Sequence, residues 1–218
     1  MTTDTSTLCS GGRLLAHRSA SSVPKRLFDI AGSLVGLLLL AIIFIPVAIA
    51  ICLDSPGPVL YRQIRCGLKG DCFVIYKFRS MFVDADERKH LIVNESVGHM
   101  FKNTNDPRVT RIGRFLRKTS LDEFPQFWNV LKGEMSLVGT RPPTLDEVQH
   151  YSDRHWLRLS VKPGLTGEWQ VCGRSDIKDF ESVVDLDLRY QALWTAWYDC
   201  ELVLRTLWIL IFKRSGSY

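Results

Sequence analysis

The feature that most constrains this chain is an uncharged apolar run near its start. Residues 30–53, IAGSLVGLLLLAIIFIPVAIAICL, contain no charged side chain. At about 1.5 Å per residue, a straight helix of this length can reach across roughly 30 Å of hydrocarbon. A cleaved signal peptide is disfavoured, because the run is too long and no clear small-residue cleavage site follows it. The run therefore predicts a membrane helix.

The charges that flank the run argue against a simple crossing. Basic residues lie on both sides of it: Arg13, Arg18, Lys25 and Arg26 before it, and Arg62, Arg65 and Lys69 after it. The positive-inside rule draws both flanks to the cytoplasmic side. An interior proline, Pro46, removes a helical hydrogen bond and normally bends a helix. From the residues alone, two interpretations stay open: an ordinary span with a tolerated proline, and a re-entrant helix that enters and leaves by one face.

The carboxyl-terminal end of the chain is also amphiphilic. Its large apolar residues recur mostly every three or four positions: Trp194, Trp197, Tyr198, Leu204, Trp208 and Ile211. This spacing predicts an amphipathic helix. Such a helix either lies in the membrane interface, with its tryptophans at headgroup depth, or packs on a protein core.

The pattern along the chain predicts three segments. Residues 1–24 are rich in Ser and Thr and read as a flexible tail, residues 25–54 form the membrane helix, and residues 55–218 form a folded domain. Two alternating runs between residues 59 and 81, joined by a glycine-containing turn, predict a β-hairpin. Because helices and one hairpin occur without regular alternation of strand and helix, we expect an α+β, mostly helical fold.

Composition limits the partners of the chain. A net charge of +5 fits an anionic partner, which can be nucleic acid, a phosphorylated small molecule or an acidic lipid surface. Nucleic acid is disfavoured, because the aromatic residues concentrate in the membrane-like segments and do not interleave with the basic run at 108–118. The six cysteines form no CxxC pair, so we interpret them as reduced thiols and not as a zinc site.

Two adjacent carboxylates, Asp122 and Glu123, stand just before Pro125. Four cations precede them: Arg111, Arg114, Arg117 and Lys118. The stretch SLDE matches a helix capping box, but a cap at Ser120 would make Pro125 the fifth helical residue, where a backbone N–H is needed. A helix that starts at Leu121 or Asp122 moves the proline into the first turn. There the helix end and the cations would keep a carboxylate ionised, which suits a nucleophile aimed at a phosphoanhydride; a structural cap within a basic lipid-binding face is the alternative.

Several long motifs, in order along the chain, resemble the bacterial sugar transferase family, the monotopic polyprenyl-phosphate phosphoglycosyl transferases of the type that initiates exopolysaccharide synthesis. The motifs are KRLFD at 25–29, YKFRSM at 76–81, LRKTSLDEFPQFWNVLKGEMSLVGTRP at 116–142 and KPGLTGEWQVCGRSD at 162–176. The likeness covers roughly residues 25–218.

The resemblance implies a reaction. Members of this family transfer a sugar-1-phosphate from a UDP-sugar to undecaprenyl phosphate, release UMP and use Mg²⁺. They work at the cytoplasmic face of the bacterial inner membrane, so residues 55–218 would be a cytoplasmic catalytic domain. The segment GLTGEWQVCGRSD at 164–176 favours UDP-galactose or UDP-glucose, and an N-acetylated UDP-sugar stays open. The resemblance also implies that the membrane helix is re-entrant and broken at Pro46. Oligomeric state is open, with a homodimer among the options.

The resemblance also implies roles for individual residues. Asp122 would be the nucleophile that forms a phosphosugar intermediate, Glu123 would assist it, and both would hold Mg²⁺. Residues expected to bind substrate are Arg117, Arg141, Pro142, Lys77, Arg79, Gln170, Arg174, Asp187 and Tyr190, with Gly164 and Gly167 beside them. For Asp187 and Tyr190, a helix-surface acid and a packing tyrosine are alternative explanations.

The chain departs from the family pattern at three positions. Thr140 replaces the first proline of the usual VGPRP, Ile45 stands before Pro46 where relatives often have serine, and Lys162 stands where arginine is usual. The change at Thr140 concerns the turn that directs Arg141, and the change at Ile45 concerns the bend of the membrane helix. Two other functions remain open from the sequence: a non-catalytic membrane scaffold that binds anionic lipid, and a hydrolase of nucleotide-sugars.

Overall fold

The computed structural model describes residues 14–98, 100–101, 103–173 and 177–212. Its α-helices are α1 (Val23–Asp54), α2 (Arg111–Thr119), α3 (Phe127–Lys132), α4 (Leu145–Val148), α5 (Asp153–Trp156), α6 (Glu168–Val171), α7 (Phe180–Leu193) and α8 (Ala196–Phe212). Its strands are β1 (Leu60–Cys66), β2 (Cys72–Phe78), β3 (Ser136–Val138) and β4 (Gly164–Thr166). Short 3-10 helices cover Arg18–Ser21, Leu68–Gly70, Glu87–Leu91, Leu121–Gln126 and Leu157–Ser160. The predicted α+β, mostly helical fold is confirmed.

The strands form two small sheets. β1 and β2 pair antiparallel, with Leu60 opposite Phe78 and Cys66 opposite Cys72, so the predicted hairpin is confirmed. β3 and β4 pair in parallel, and their backbones come so close that a Cβ on Gly164 would lie 2.1 Å from the Gly139 nitrogen. The second sheet was not predicted, because strands of three residues are too short to show alternation.

Helix α1 begins with a serine cap, since the Ser22 side chain accepts a hydrogen bond from the Lys25 backbone nitrogen. One stripe of the helix faces the protein along its whole length: Lys25, Asp29, Ser33, Gly36, Leu40, Phe44, Val47 and Ile51. The opposite face carries large apolar side chains that are 46% to 84% exposed: Leu27, Leu34, Val35, Leu38, Leu39, Ile42, Ile45, Ile49 and Leu53. Among the described residues, α1 is the helix long and apolar enough to cross a membrane. It is continuous through Pro46, and the break expected there stays a prediction.

The segment before α1 packs against the domain where it is described. The His17 backbone nitrogen donates to the Ser160 carbonyl at 2.8 Å, and Arg18 donates to the Trp194 carbonyl at 2.8 Å while lying over its indole ring. Ser19 is buried. In residues 14–24 the structure therefore differs from the predicted flexible tail, because these contacts join the segment to residues more than 140 positions away.

The main core lies between β2, α3, β3, α7 and α8. Its buried members are Phe73, Ile75, Val130, Met135, Leu137, Val138, Tyr190, Trp194, and Leu202. Helix α8 buries Asp199 and Leu202 on this core, while Trp197, Trp208 and Ile211 are exposed on its other face. The carboxyl-terminal helix is thus amphipathic as predicted, with one face against the protein and an apolar face outward.

A buried ion pair joins the start of α1 to α8. Lys25 Nζ lies 2.7 Å from Asp199 Oδ2 and also donates to the Val138 carbonyl. Nearby, the Asp29 carboxylate accepts hydrogen bonds from the Ser136 hydroxyl and the Leu137 backbone nitrogen. These bonds fix the first turns of α1 to β3. This strand leads directly into residues 139–144, which we call the Arg141 loop.

Candidate active site

The carboxylate pair lies in a tight turn between α2 and α3. Helix α2 ends at Thr119 and is capped by Ser120, a non-glycine residue in the left-handed region with φ 56°; a 3-10 helix then covers Leu121–Gln126. The helical turn therefore begins at Leu121, as the position of Pro125 predicts. The Ser120 side chain makes no capping hydrogen bond to this turn, so the capping-box explanation of the pair is not realised.

One cation reaches the pair from the hairpin. Lys77, on β2, places its Nζ 3.0 Å from Glu123 Oε1, and both side chains are about one-quarter exposed or less. Asp122 is buried in the same turn. The two carboxylates thus lie where β2 contacts the turn. Glu123 and its lysine partner are reached by solvent, whereas Asp122 is buried.

A second cation comes from α2. Arg117, in its last turn, donates from Nε to the Ser80 hydroxyl at 2.9 Å, and Ser80 follows β2 three residues after Lys77. Helix α2 approaches this segment closely, since a Cβ on Gly113 would lie 1.9 Å from the Ser80 carbonyl oxygen. Glycine at position 113 therefore allows α2 to pack close to Ser80, and this packing places Arg117 next to the segment that follows Lys77.

The Arg141 loop is braced by charged partners. Arg141 donates both terminal nitrogens to the Glu147 carboxylate, at 2.8 and 3.0 Å. Arg65, from β1, donates to the Pro142 carbonyl at 3.0 Å. Burial, together with the charge of Arg141, lowers the pKa of Arg65 to about 10, and the carboxylates of Glu147 and Glu123 act on it in the opposite direction. Arg65 therefore holds the backbone of the Arg141 loop to β1.

The charges in this loop are strongly coupled. Burial alone would raise the pKa of Glu147, but Arg141 holds it below its ordinary value. Burial alone would lower the pKa of Arg141, but Glu147 raises it. Both groups are therefore kept ionised, and the guanidinium is oriented by the bidentate contact.

Three predicted substrate residues are bound elsewhere in the protein. Arg79 is buried and donates to the Ser55 and Pro56 carbonyls, each at 2.6 Å. Asp187 is buried against Arg158, and the Tyr190 hydroxyl donates to Asp199 at 2.8 Å. The structure does not bring these side chains to the carboxylate pair, because each has a buried partner of its own. For Tyr190 this agrees with the alternative of a packing tyrosine. The alternative of a helix-surface acid is wrong for Asp187, because its side chain is only 1% exposed.

The remaining predicted residues lie near β4. Gln170 is on α6, and its Oε1 is buried without a hydrogen-bond partner among the described residues. Gly167, just before α6, lies so close to the Gly139 carbonyl that a Cβ there would be 2.1 Å from the oxygen. Gly164 and Gly167 thus serve close packing of the backbone. The predicted substrate residue Arg174 lies outside the described residues.

Sequence reasoning missed a buried asparagine behind the site. Asn129, on α3, donates to the Val74 carbonyl at 2.7 Å and accepts from the Tyr76 backbone nitrogen at 3.3 Å. It is fully buried and fixes α3 to β2 just behind the carboxylate turn. A polar residue inside the apolar run FWNVL was the available signal, since a buried amide requires hydrogen-bond partners. Ser80, Arg65 and Glu147 were also missed, and no local pattern identifies them.

The carboxylate pair can be compared with the donors that Mg²⁺ takes in proteins. The described residues contain no cluster of three or more His, Cys, Asp or Glu side chains that could hold a metal ion. Mg²⁺ is usually bound by one or two carboxylates, with waters and substrate phosphates as its other ligands. Asp122 and Glu123, adjacent in one turn, supply such a pair of hard oxygen donors, so the residues fit the ion that the family resemblance implies.

The site combines anionic oxygens with fixed cations. Lys77 is paired with Glu123, and Arg117 is held at Ser80 on the segment that follows β2. Fixed cations of this kind can offset the charge of an approaching phosphate. This arrangement suits attack of an oxygen nucleophile on phosphorus.

Known proteins resemble this chain over most of its length. A family model described as bacterial sugar transferase matches residues 20–213. Galactosyl transferase CpsE of Streptococcus agalactiae serotype III is 50% identical over 92% of this chain and 45% of its own length. Undecaprenyl-phosphate galactose phosphotransferase of Salmonella typhimurium is 42% identical over 94% of this chain and 43% of its own length. Exopolysaccharide production protein ExoY of Rhizobium meliloti is 36% identical over 93% of this chain and 92% of its own length. The chain thus spans less than half of the first two relatives and nearly all of the third.

Proposed function

This chain belongs to the bacterial sugar transferase family, and on that premise we propose that it transfers a hexose-1-phosphate from a UDP-sugar to undecaprenyl phosphate. UMP would be released, and the lipid-linked sugar would begin an exopolysaccharide. Two relatives carry galactose in their names, so UDP-galactose is the first donor to test, followed by UDP-glucose.

The observation that carries the proposal is the carboxylate turn with its two cations. Asp122 is buried in a turn whose neighbour Glu123 is held by Lys77, while Arg117 is fixed to the adjacent segment by Ser80. An anionic nucleophile must approach an anionic phosphorus, and this repulsion is what nearby cations reduce.

In the proposed mechanism the chemistry proceeds in two displacements. An oxygen of Asp122 attacks the phosphorus that bears the sugar, and the bond from that phosphorus to the bridging oxygen breaks, so that UMP leaves with the electron pair. A phosphate oxygen of undecaprenyl phosphate then attacks the same phosphorus and displaces Asp122. Mg²⁺ held by the two carboxylates would supply positive charge at the phosphates. Since each step exchanges one phosphate linkage for another, catalysis depends mainly on positioning and charge.

The apolar surface supports a membrane location for this reaction. The exposed face of α1 and the outward face of α8 are covered by large apolar side chains. Both ends of α1 contact the same domain, Lys25 through α8 and Ile51 through β2 and α2. A re-entrant anchor, with the catalytic domain on the cytoplasmic face of the inner membrane, would hold Asp122 at the depth of the acceptor phosphate.

The proposal is tested by UMP release. The full chain in lipid nanodiscs is incubated with Mg²⁺, undecaprenyl phosphate and, in turn, UDP-galactose, UDP-glucose and N-acetylated UDP-sugars. We expect release with one of the hexose donors, and Asp122→Asn should lower it at least about 1000-fold, as expected for loss of a nucleophile. Asp146→Asn, which changes an exposed acid outside the turn, is the matched control and should not alter the rate.

A second measurement addresses the intermediate. With a UDP-sugar labelled at the phosphorus that bears the sugar, label should remain on the wild-type chain in the absence of acceptor and be missing from Asp122→Asn. Continuous UMP release without acceptor would instead identify a hydrolase. No release with any donor would leave a lipid-binding scaffold as the better description, and release only with an N-acetylated donor would correct the sugar.

A further inference from the structure

The end of α1 contacts α2 and the end of β2. We call α2 and β2 the two walls of the candidate site, because they carry Arg117 and Lys77. The Asp54 carboxylate accepts a hydrogen bond from the Ile112 backbone nitrogen at 2.8 Å. The next two carbonyls, of Ser55 and Pro56, accept from the Arg79 guanidinium at 2.6 Å each. These contacts lie beside a small core in which Ile51 of α1 packs with Phe78 and Leu116.

The first wall is α2. The nitrogen that Asp54 accepts from belongs to the first turn of α2, where backbone N–H groups lack partners within the helix. A carboxylate there also interacts favourably with the positive end of the helix. The other end of this nine-residue helix carries Arg117 and leads through Ser120 into the carboxylate turn. Helix α2 therefore connects the end of α1 to Arg117, which is held at Ser80.

The second wall is β2. Arg79 directly follows this strand, and its backbone nitrogen donates to the Val59 carbonyl at 2.8 Å. Two residues earlier on the strand, Lys77 holds Glu123. The Arg79 side chain is buried, and its two terminal nitrogens donate to carbonyls at the carboxyl end of α1, where a cation is electrostatically favoured.

We propose that Asp54 and Arg79 are positioning residues that couple the membrane helix to the phosphate chemistry. Each ties one wall of the site, and with it one of the two cations, to the same turn of α1. Neither side chain needs to touch substrate in this role. The inference rests on the proposed function for its kinetic consequence, but the coupling itself is a property of the fold.

Kinetics of matched variants test the role. Asp54→Ala removes the acceptor for Ile112, whereas Asp54→Asn keeps an oxygen that can accept the same bond. Arg79→Met removes both bonds to the α1 end, whereas Arg79→Lys keeps a donor. In nanodiscs we expect Asp54→Ala and Arg79→Met to lower kcat about 10- to 100-fold, the range that misplacement of about 1 Å can produce. The KM for UDP-sugar should stay within about twofold, and the two conservative variants should recover most of the rate.

A control variant and a structural measurement separate positioning from general damage. Arg88→Met alters an exposed arginine paired with Asp84 close to the same turn and should leave kcat unchanged. Amide hydrogen exchange should accelerate over the first turn of α2 in Asp54→Ala but not in Asp54→Asn, and over residues 55–59 in Arg79→Met. The two arms are independent, so the Arg79 variants still test the coupling if Asp54→Ala does not fold.

Three results would overturn the inference. A tenfold rise in the KM for UDP-sugar in Arg79→Met, with kcat retained, would make Arg79 a substrate ligand. Wild-type exchange and kinetics in both Asp54→Ala and Arg79→Met would mean that these bonds position nothing. Equal loss of kcat in Asp54→Asn and Asp54→Ala, with wild-type exchange over the first turn of α2 in both, would mean that Asp54 does not act by positioning α2. If the wild-type chain releases no UMP with any donor, the proposed function fails, while local exchange in the variants still decides the coupling.

Discussion

Replacing Asp187 should destabilise the fold and leave substrate affinity unchanged. The Asp187 carboxylate accepts from Arg158 at 2.7 Å, and both side chains are 1% exposed. Removing one partner of a buried ion pair leaves the other charge in the interior, which costs about 3–5 kcal/mol. We expect Asp187→Asn to lie near the lower end of this range, because the amide oxygen can still accept one hydrogen bond from Arg158.

The magnitude converts to a measurable shift. For chains of 150 to 250 residues, 1 kcal/mol corresponds to about 2–4 °C in Tm, so a loss of about 3 kcal/mol lowers Tm by roughly 6–12 °C. Thermal unfolding of the detergent-solubilised chain, followed by circular dichroism, measures this shift. The KM for UDP-sugar is then measured well below the lowered Tm, where we expect the wild-type value.

The matched control is Asp185→Asn on the same helix. Asp185 pairs with Arg154, and its side chain is 66% exposed. Exposed pairs contribute about 0–1 kcal/mol, so the Tm of this variant should stay close to wild type. The reasoning is refuted if Asp187→Asn keeps its Tm within about 2 °C while the KM for UDP-sugar rises tenfold, since Asp187 would then act on substrate.

Three further predictions concern the site and its supports. Lys77→Met should lower UMP release about 10- to 1000-fold, because a fixed charge beside Glu123 is lost, while Tm changes little since the pair is partly exposed; an unchanged rate would show that Lys77 is only a surface contact. Gly113→Ala should lower Tm and activity together, by at least about 1–3 kcal/mol in stability, because the new Cβ would lie 1.9 Å from the Ser80 carbonyl oxygen; a wild-type Tm would contradict this. The pKa of Glu147 lies below its ordinary value of 4.5 in the folded chain, so its contribution to stability is present above about pH 4.5 and is lost as pH falls through the lower folded value. Tm measured from pH 7 to pH 3 should therefore fall more steeply in wild type than in Glu147→Gln, and parallel curves would refute the assignment.

Much of the architecture could be predicted from local sequence pattern. Alternating residues identified the β1–β2 hairpin, helical spacing identified α8, and Pro125 placed the start of the carboxylate turn at Leu121. Long motifs identified the family, which the comparisons confirm. These features depend on neighbours in the chain, and a sequence displays them directly.

The partners of long polar side chains could not be predicted in the same way. Arg79 reads as a pocket residue in YKFRSM, yet it binds carbonyls 23 and 24 positions earlier. Likewise, Arg18 reads as part of a polar tail, yet it contacts a residue 176 positions later. The hydrogen-bond partner of a guanidinium depends on how the helices and strands assemble. No spacing rule along the chain predicts that partner.

The inward stripe of α1 has a consequence for how such a chain can be made. Gly32 and Gly36 let the helix lie directly on the side chains of Leu137 and Phe127, so residues from the first quarter of the chain complete a core that the later residues build. A fragment that begins at residue 55 would lack α1 and expose Leu137 and Phe127. We expect this fragment to aggregate rather than give a soluble enzyme. During synthesis α1 leaves the ribosome before the residues that it packs against, so these later residues must fold onto a helix that is already made.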